Sequence, residues 1–131
     1  MFLTIMGNPM SKHRPRFGKG RTYTPKETVS AEDNIKRCAL AAGPHDIIDG
    51  PVRARLTFDM KIPKTWSKKK KEQAELGIIR PVTGKDFDNM AKLVCDSLNK
   101  IAYNDDSQIV EAMIIKKYSA EPKTIILIEG I

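Results

Sequence analysis

The chain has 131 residues, 40% of them apolar and 30% charged, with 23 Lys and Arg against 16 Asp and Glu for a formal charge of +7. That length has room for one domain with one core, read as a single domain over residues 1–131, and a domain this short gains from pairing with a second copy because it buries a smaller share of its surface than a large one. The basic balance points to an anionic partner, nucleic acid rather than a membrane because no basic amphipathic helix is visible, while composition alone weighs an inert basic surface equally.

Phe2 to Met6 predicts a first strand, stopped by the turn residues Gly7-Asn8-Pro9. A loop follows from Met10 to Arg21 that carries Lys12, Arg14, Arg16, Lys19 and Arg21 and no acidic residue. Such a stretch is either a solvated arm or a phosphate-contacting one. Thr24-Pro25-Lys26-Glu27 combines a capping-box pair with proline at the first helical position, and Gly43-Pro44 supplies the stop, so a helix with the stripe Ile35, Cys38, Ala39, Ala42 is expected between them.

From Val52 to Ile62 apolar residues alternate with Arg53, Arg55, Thr57, Asp59 and Lys61, the period of a half-buried strand. A second basic block, Lys68, Lys69, Lys70 and Lys71, then leads into a short segment that Gly77 would close if helical, and that we expect to be mobile. A second main helix is predicted from Asp88 to Ala102, with Met90, Leu93, Val94, Leu98 and Ile101 buried and Asp88, Lys92 and Asp96 along a neighbouring face. Two strands, Ile109 to Tyr118 and Thr124 to Ile128, broken at Ala120-Glu121-Pro122, read as an antiparallel hairpin whose four consecutive aliphatic residues are the expected dimer surface. The sum is an α+β fold: a mixed sheet of about four strands and two main helices, in the order strand, helix, strand, basic loop, helix, strand, strand.

The longest aliphatic run, Ile125 to Ile128, is far too short to span a bilayer, and the first residues have no signal-peptide pattern, so a cytoplasmic protein is expected. Cys38 and Cys95 read as buried free thiols of a reducing compartment. His13 and His45 have no cysteine partners at zinc spacing. Gly7 to Lys12 lacks the second glycine of a phosphate-binding Walker loop, so no nucleotide cofactor is expected, and no serine stands in a nucleophile elbow. Phe17, Tyr23 and Trp66 are isolated, which is poor material for base stacking and suits packing instead.

The densest constellation is Asp86-Phe87-Asp88 followed by Asp96, Asp105 and Asp106. Asp86 and Asp88, two apart at a helix entrance, would project to one side of an extended backbone. A strand folding back beside the helix start could bring Asp105 or Asp106 to them. Converging carboxylates need a cation between them, and oxygen-only ligands select Mg²⁺ or Mn²⁺, which can activate water against a phosphodiester. Lys92, one turn beyond Asp88, could contact the phosphate or leaving oxygen. Against this stands a structural reading that spacing alone favours: Asp88 as a helix cap, Asn104-Asp105-Asp106 as a turn, and Asp96 paired with Lys92 or Lys100.

The run Asp86-Phe87-Asp88-Asn89-Met90-Ala91-Lys92, then Asp96, then Asp105-Asp106 before a strand, resembles the RusA family of Holliday-junction resolvases, as does the basic loop ending Gly20-Arg21-Thr22. The resemblance implies that Asp86, Asp88 and one of Asp105 and Asp106, taken as Asp106, bind magnesium, and that Lys92 is needed for cleavage. The helix-to-Asp-Asp connection is slightly shorter than the family's, which leaves both members of the later pair open. It also implies a homodimer that makes paired nicks in four-way or other branched DNA during recombination and repair, from a bacterial or prophage gene. The basic residues Lys12, Arg14, Arg16, Lys19, Arg21 and Lys68 to Lys71 would then bind phosphates, and Gln108 would bear on site preference. The alternative is a non-catalytic basic DNA-binding module with a structural acidic cluster.

Overall fold

A computed structural model describes residues 1–12, 16–18, 20–23 and 26–131. Its frame is a four-stranded sheet in the order β1-β6-β4-β5. β4 (Val52–Lys61) is central, antiparallel to β6 (Lys123–Gly130) and parallel to β5 (Ile109–Ser119), while β1 (Phe2–Met6) pairs antiparallel with β6. The sheet is therefore mixed, as expected.

The alternation in β4 puts Val52, Ala54, Leu56 and Phe58 on one face, in register with Ile126 and Ile128 of β6 and beside Leu3 and Ile5 of β1. Helices α1 (Lys26–Ala41) and α3 (Phe87–Ser97) cover that face, adding Ile35 and Ala39 from the first and Met90, Leu93 and Val94 from the second, with Leu98 just after it. Burying these side chains removes apolar area worth about 25 cal/mol per Å², the main driving force for this fold. Ala42, expected in the α1 stripe, is exposed beyond the helix end, where Gly43 has φ +116° and stops it.

The hairpin expected near the carboxyl end does not form. β5 and β6 lie on opposite sides of β4, and the break at 120–122 passes over the end of that strand. The four residue-to-residue steps from Ser119 to Lys123 reach roughly 13 Å when extended, enough to cross two inter-strand spacings of about 4.8 Å. The aliphatic run is divided in consequence: Ile126 and Ile128 are core, whereas Ile125 and Leu127 are half-buried on the face without helices.

Three further departures are local. α3 ends at Ser97 rather than near Ala102, and Lys100, with φ +67°, turns the chain back so that its N–H donates to the Tyr103 carbonyl at 2.7 Å. The first basic stretch is not wholly loop: Arg16–Gly18 (β2) and Arg21–Tyr23 (β3) form a two-stranded ribbon about Gly20. The second basic block is the first turn of a regular helix, α2 (Lys68–Glu75), capped by Ser67, whose hydroxyl accepts from the Lys70 N–H at 3.2 Å, and closed by Gly77 at φ +79°. His13, Arg14, Pro15, Lys19, the capping residue Thr24 and Pro25 fall outside the described residues. Both cysteines are free and only half-buried rather than core residues. Among the described residues no helix is long and apolar enough to cross a membrane.

Candidate active site

The acidic motif sits where the chain enters α3. Asp86 is the N-cap residue, with extended backbone, yet its side chain makes no capping hydrogen bond; it takes only a long contact of 3.5 Å from the Asn89 amide. Asp88 lies inside the first turn, so it is not the cap that spacing suggested, and it makes no hydrogen bond or ion pair among the described residues. Both carboxylates are exposed and line an open pocket of about 430 Å³ with Phe87, the 81–85 loop and Lys116. Sequence reasoning missed Lys116. Its signal is a lysine falling on the inward side of a strand, which is legible only once the register is known.

α3 carries the motif to its other end. Lys92, exposed, follows Asp88 by one turn, and Asp96 follows Lys92 by another. Asp96 pairs with neither Lys92 nor Lys100 but with Lys12, whose ammonium lies 2.5 Å from its carboxylate and 3.5 Å from that of Glu32 on α1. Burial pulls the Lys12 ammonium down, but Asp96 and Glu32 outweigh it, and its pKa stands above the ordinary lysine value.

The later aspartates divide. Asp105 caps the short 3-10 turn Asp106–Gln108, accepting from the Ser107 N–H at 3.0 Å, and that hydrogen bond holds its carboxyl below the usual range. Its turn role is thus the one expected of a structural aspartate. Asp106 carries no such duty. Burial raises its pKa first, and a hydrogen bond to Asp96 together with that residue's charge raises it further. Asp106 therefore meets α3 at Asp96, roughly 12 Å along the axis from Asp88 at about 1.5 Å per residue. Among the described residues no group of three or more Asp, Glu, His or Cys side chains converges as a metal cage.

Asp86 and Asp88 do fit a hard divalent cation in their chemistry: two oxygen ligands, almost unspent on protein donors and open to water, suit an ion that keeps much of its hydration. Gln108 is not free to read DNA. Its amide oxygen accepts from the Asn104 and Asp105 N–H groups at 2.8 and 3.0 Å, and its nitrogen donates to the Ile48 and Gly50 carbonyls at 2.7 and 3.0 Å.

Of the basic residues, Arg21 is exposed on β3 and Arg16 belongs to β2, while Lys68, Lys69 and Lys70 project from the first turn of α2 and Lys71 is half-buried. Four lysines at a helix N-terminus oppose the helix dipole, a local cost that an anion there would offset. Lys70 also lies 4.0 Å above the Trp66 ring, which packs edge-on against Tyr118 at 5.2 Å. Trp66 is a packing residue, as expected.

Residues 6–129 match the profile of the RusA endodeoxyribonucleases. The chain belongs to the RusA endodeoxyribonuclease family. It is accordingly an enzyme that cleaves DNA, of a family whose substrates are branched. It is also similar to the uncharacterized protein YqaN of Bacillus subtilis (strain 168), with 37% identity over 134 residues, covering 98% of this chain and 94% of the relative. The RusA match runs from the last residue of β1 to the penultimate residue of β6, so it includes the whole acidic motif, Lys92 and both basic blocks.

Proposed function

We propose that this RusA-family chain, as one domain over residues 1–131, is a magnesium-dependent, structure-selective endonuclease that resolves four-way DNA junctions by paired nicks in recombination and repair. It works as a homodimer in the cytoplasm of a bacterium, from a chromosomal or prophage gene. The observation that carries this reading is the state of Asp86: a helix-capping residue whose carboxylate does not cap, facing an open pocket beside Asp88. A non-catalytic basic module would leave that carboxylate pair without a purpose.

Asp86 and Asp88 are the residues that would hold Mg²⁺, with Mn²⁺ as a substitute; Asp106, which meets α3 at Asp96 roughly 12 Å along the axis, lies too far away to share that ion within one chain. Such an ion supplies an activated water and stabilises the charge that develops on a phosphodiester as it breaks. Lys92, exposed between Asp88 and Asp96, binds the scissile phosphate or the leaving oxygen. Arg14, Arg16, Lys19 and Arg21 on one side and Lys68, Lys69, Lys70 and Lys71 on the other engage junction arms through phosphates, which needs no base readout, while the charge of Lys12 is taken up by Asp96 and Glu32.

The homodimer is supported by the uncovered sheet face, where Phe2 and Met6 are 66% and 56% exposed on β1 beside β6 with its Ile125 and Leu127, and Met113 is 53% exposed across Arg55 of β4. A second copy on that face would place one active site per subunit about a twofold axis, matching two nicks in a near-twofold substrate.

The test is a synthetic four-way junction incubated with and without Mg²⁺, with nicks mapped on a denaturing gel. Paired nicks in opposed strands, seen only with the metal, are expected. Binding without cutting at any metal concentration would leave a DNA-binding module instead.

A further inference from the structure

The edge strand β5 contains a residue on the wrong side for its charge. In the parallel register Lys116 stands beside Phe58, which is fully buried on the helix-covered face; its neighbours on that face, Ile114 and Tyr118, pack against the core. Lys116 therefore points inward where the strand pattern calls for an apolar side chain. A lysine is tolerated there only if its ammonium finds acceptors. It finds two, the carbonyls of Thr83 and Lys85, at 3.1 and 2.8 Å.

The second of those carbonyls belongs to the peptide that leads directly into Asp86. The loop is fixed again on its other side, since the Lys85 ammonium donates to the Pro9 carbonyl at 2.7 Å. Gly84, at φ +88°, supplies the left-handed bend between the two carbonyls that Lys116 gathers. An ammonium carries three N–H donors, and the same side chain lines the pocket of Asp86 and Asp88.

We infer that Lys116 is a positioning residue for the Asp86–Asp88 carboxylate pair: by gathering the Thr83 and Lys85 carbonyls it sets the direction in which Asp86 leaves the loop. The inference rests on the proposed metal-binding role of that pair. Groups that orient ligands without touching the metal typically matter 10- to 100-fold in metal affinity or activity, roughly the effect to look for here.

The experiment is Mn²⁺ titration of the full-length protein without DNA, followed by electron paramagnetic resonance, on wild type, Asp88→Asn, Lys116→Met and Lys116→Gln. Circular dichroism and thermal melting report whether each variant is folded. Lys116→Met should weaken Mn²⁺ binding about 10- to 100-fold, with metal-free junction binding close to wild type. Lys116→Gln, which keeps a donor for one carbonyl, should lose less and carries the comparison if the Met variant does not fold. Mn²⁺ binding that depends on Asp88 but is unchanged in a folded Lys116 variant overturns the positioning role alone. Mn²⁺ binding indifferent to Asp88→Asn overturns the metal reading, and this inference with it.

Discussion

The Lys12 ammonium and the Asp96 carboxylate, 84 residues apart in sequence, stand 2.5 Å from one another and tie the start of the first basic stretch to the far end of α3. The Lys12 N–H also donates to the Asn89 carbonyl, at 3.1 Å, so both backbone and side chain are anchored to that helix. Lys12 is thereby set apart from the basic residues proposed to contact DNA, because its charge already has two carboxylate partners. Lys12→Ala should lower the melting temperature by about 3–5 °C, the equivalent of roughly 1 kcal/mol for a domain of this size. It should leave the salt dependence of junction binding nearly unchanged. A slope reduced as much as by removal of Arg21 would return Lys12 to the DNA-binding surface.

Asp88→Asn should abolish cleavage while leaving junction binding equal or tighter, since it deletes a ligand oxygen and one negative charge near the phosphates. Asp106→Asn, at the far end of α3, should keep Mg²⁺ affinity close to wild type, measured by calorimetry. A loss of Mg²⁺ affinity in Asp106→Asn as large as in Asp88→Asn would bring Asp106 into the site. Lys92→Ala should lose turnover far more than affinity.

The lysines of α2 provide a test in which two readouts move in opposite directions. Changing Lys68, Lys69, Lys70 and Lys71 together to Gln removes charges that repel the positive end of the helix dipole, so thermal stability should hold or rise slightly. Junction affinity should fall, and its log-log salt slope should flatten by about 0.9 for each phosphate that is no longer neutralised. The same flattening is expected when Arg14, Arg16 and Arg21 are neutralised. Slopes unchanged in both variants would place the DNA on another surface.

Cys95 should resist thiol reagents in the folded protein. Burial lifts its pKa from 9.0 to about 11, against a smaller opposing effect of its hydrogen bond with Tyr103. At pH 8 very little thiolate exists, so labelling by iodoacetamide should be slow until denaturant is added. The folded value lies above the unfolded one, so the associated stability is intact below about pH 9 and is lost as pH rises through about 11. Rapid modification of Cys95 at pH 8 without unfolding would contradict this.

Asp59 is 2% exposed on the face opposite Phe58, with the Lys123 and Lys117 ammonium groups at 3.4 and 3.8 Å. Its Oδ1 has no hydrogen-bond partner among the described residues, so the two lysines are its main compensation. Lys123→Met should cost on the order of 1–3 kcal/mol in a denaturant titration, because it leaves a buried carboxylate with poorer pairing. Lys117→Met should cost less, its ammonium being farther away and more exposed. Equal and negligible effects would show that water satisfies Asp59 without them.

What the sequence determined by itself was local and periodic. Alternation over β4, the glycine-proline stop after α1 and the apolar stripe of α3 each follow from short-range geometry, and the Asp86-to-Lys92 run with its later Asp-Asp pair carried the family resemblance. The tertiary structure decided everything that depends on which elements are neighbours. A break of three residues cannot say whether it joins adjacent strands or passes over a third, so the insertion of β4 between β5 and β6 was invisible. Helix spacing offered Lys92 and Lys100 to Asp96, but Lys12 won because the chain after β1 is held against α3 there, the Lys12 N–H donating to the Asn89 carbonyl. Asp105 and Asp106 look interchangeable in sequence; one is committed to a cap and the other turns to Asp96, a difference of side-chain direction that only the fold imposes. Lys116 became visible for the same reason: alternation marks two faces of a strand, and only packing says which of them is inside.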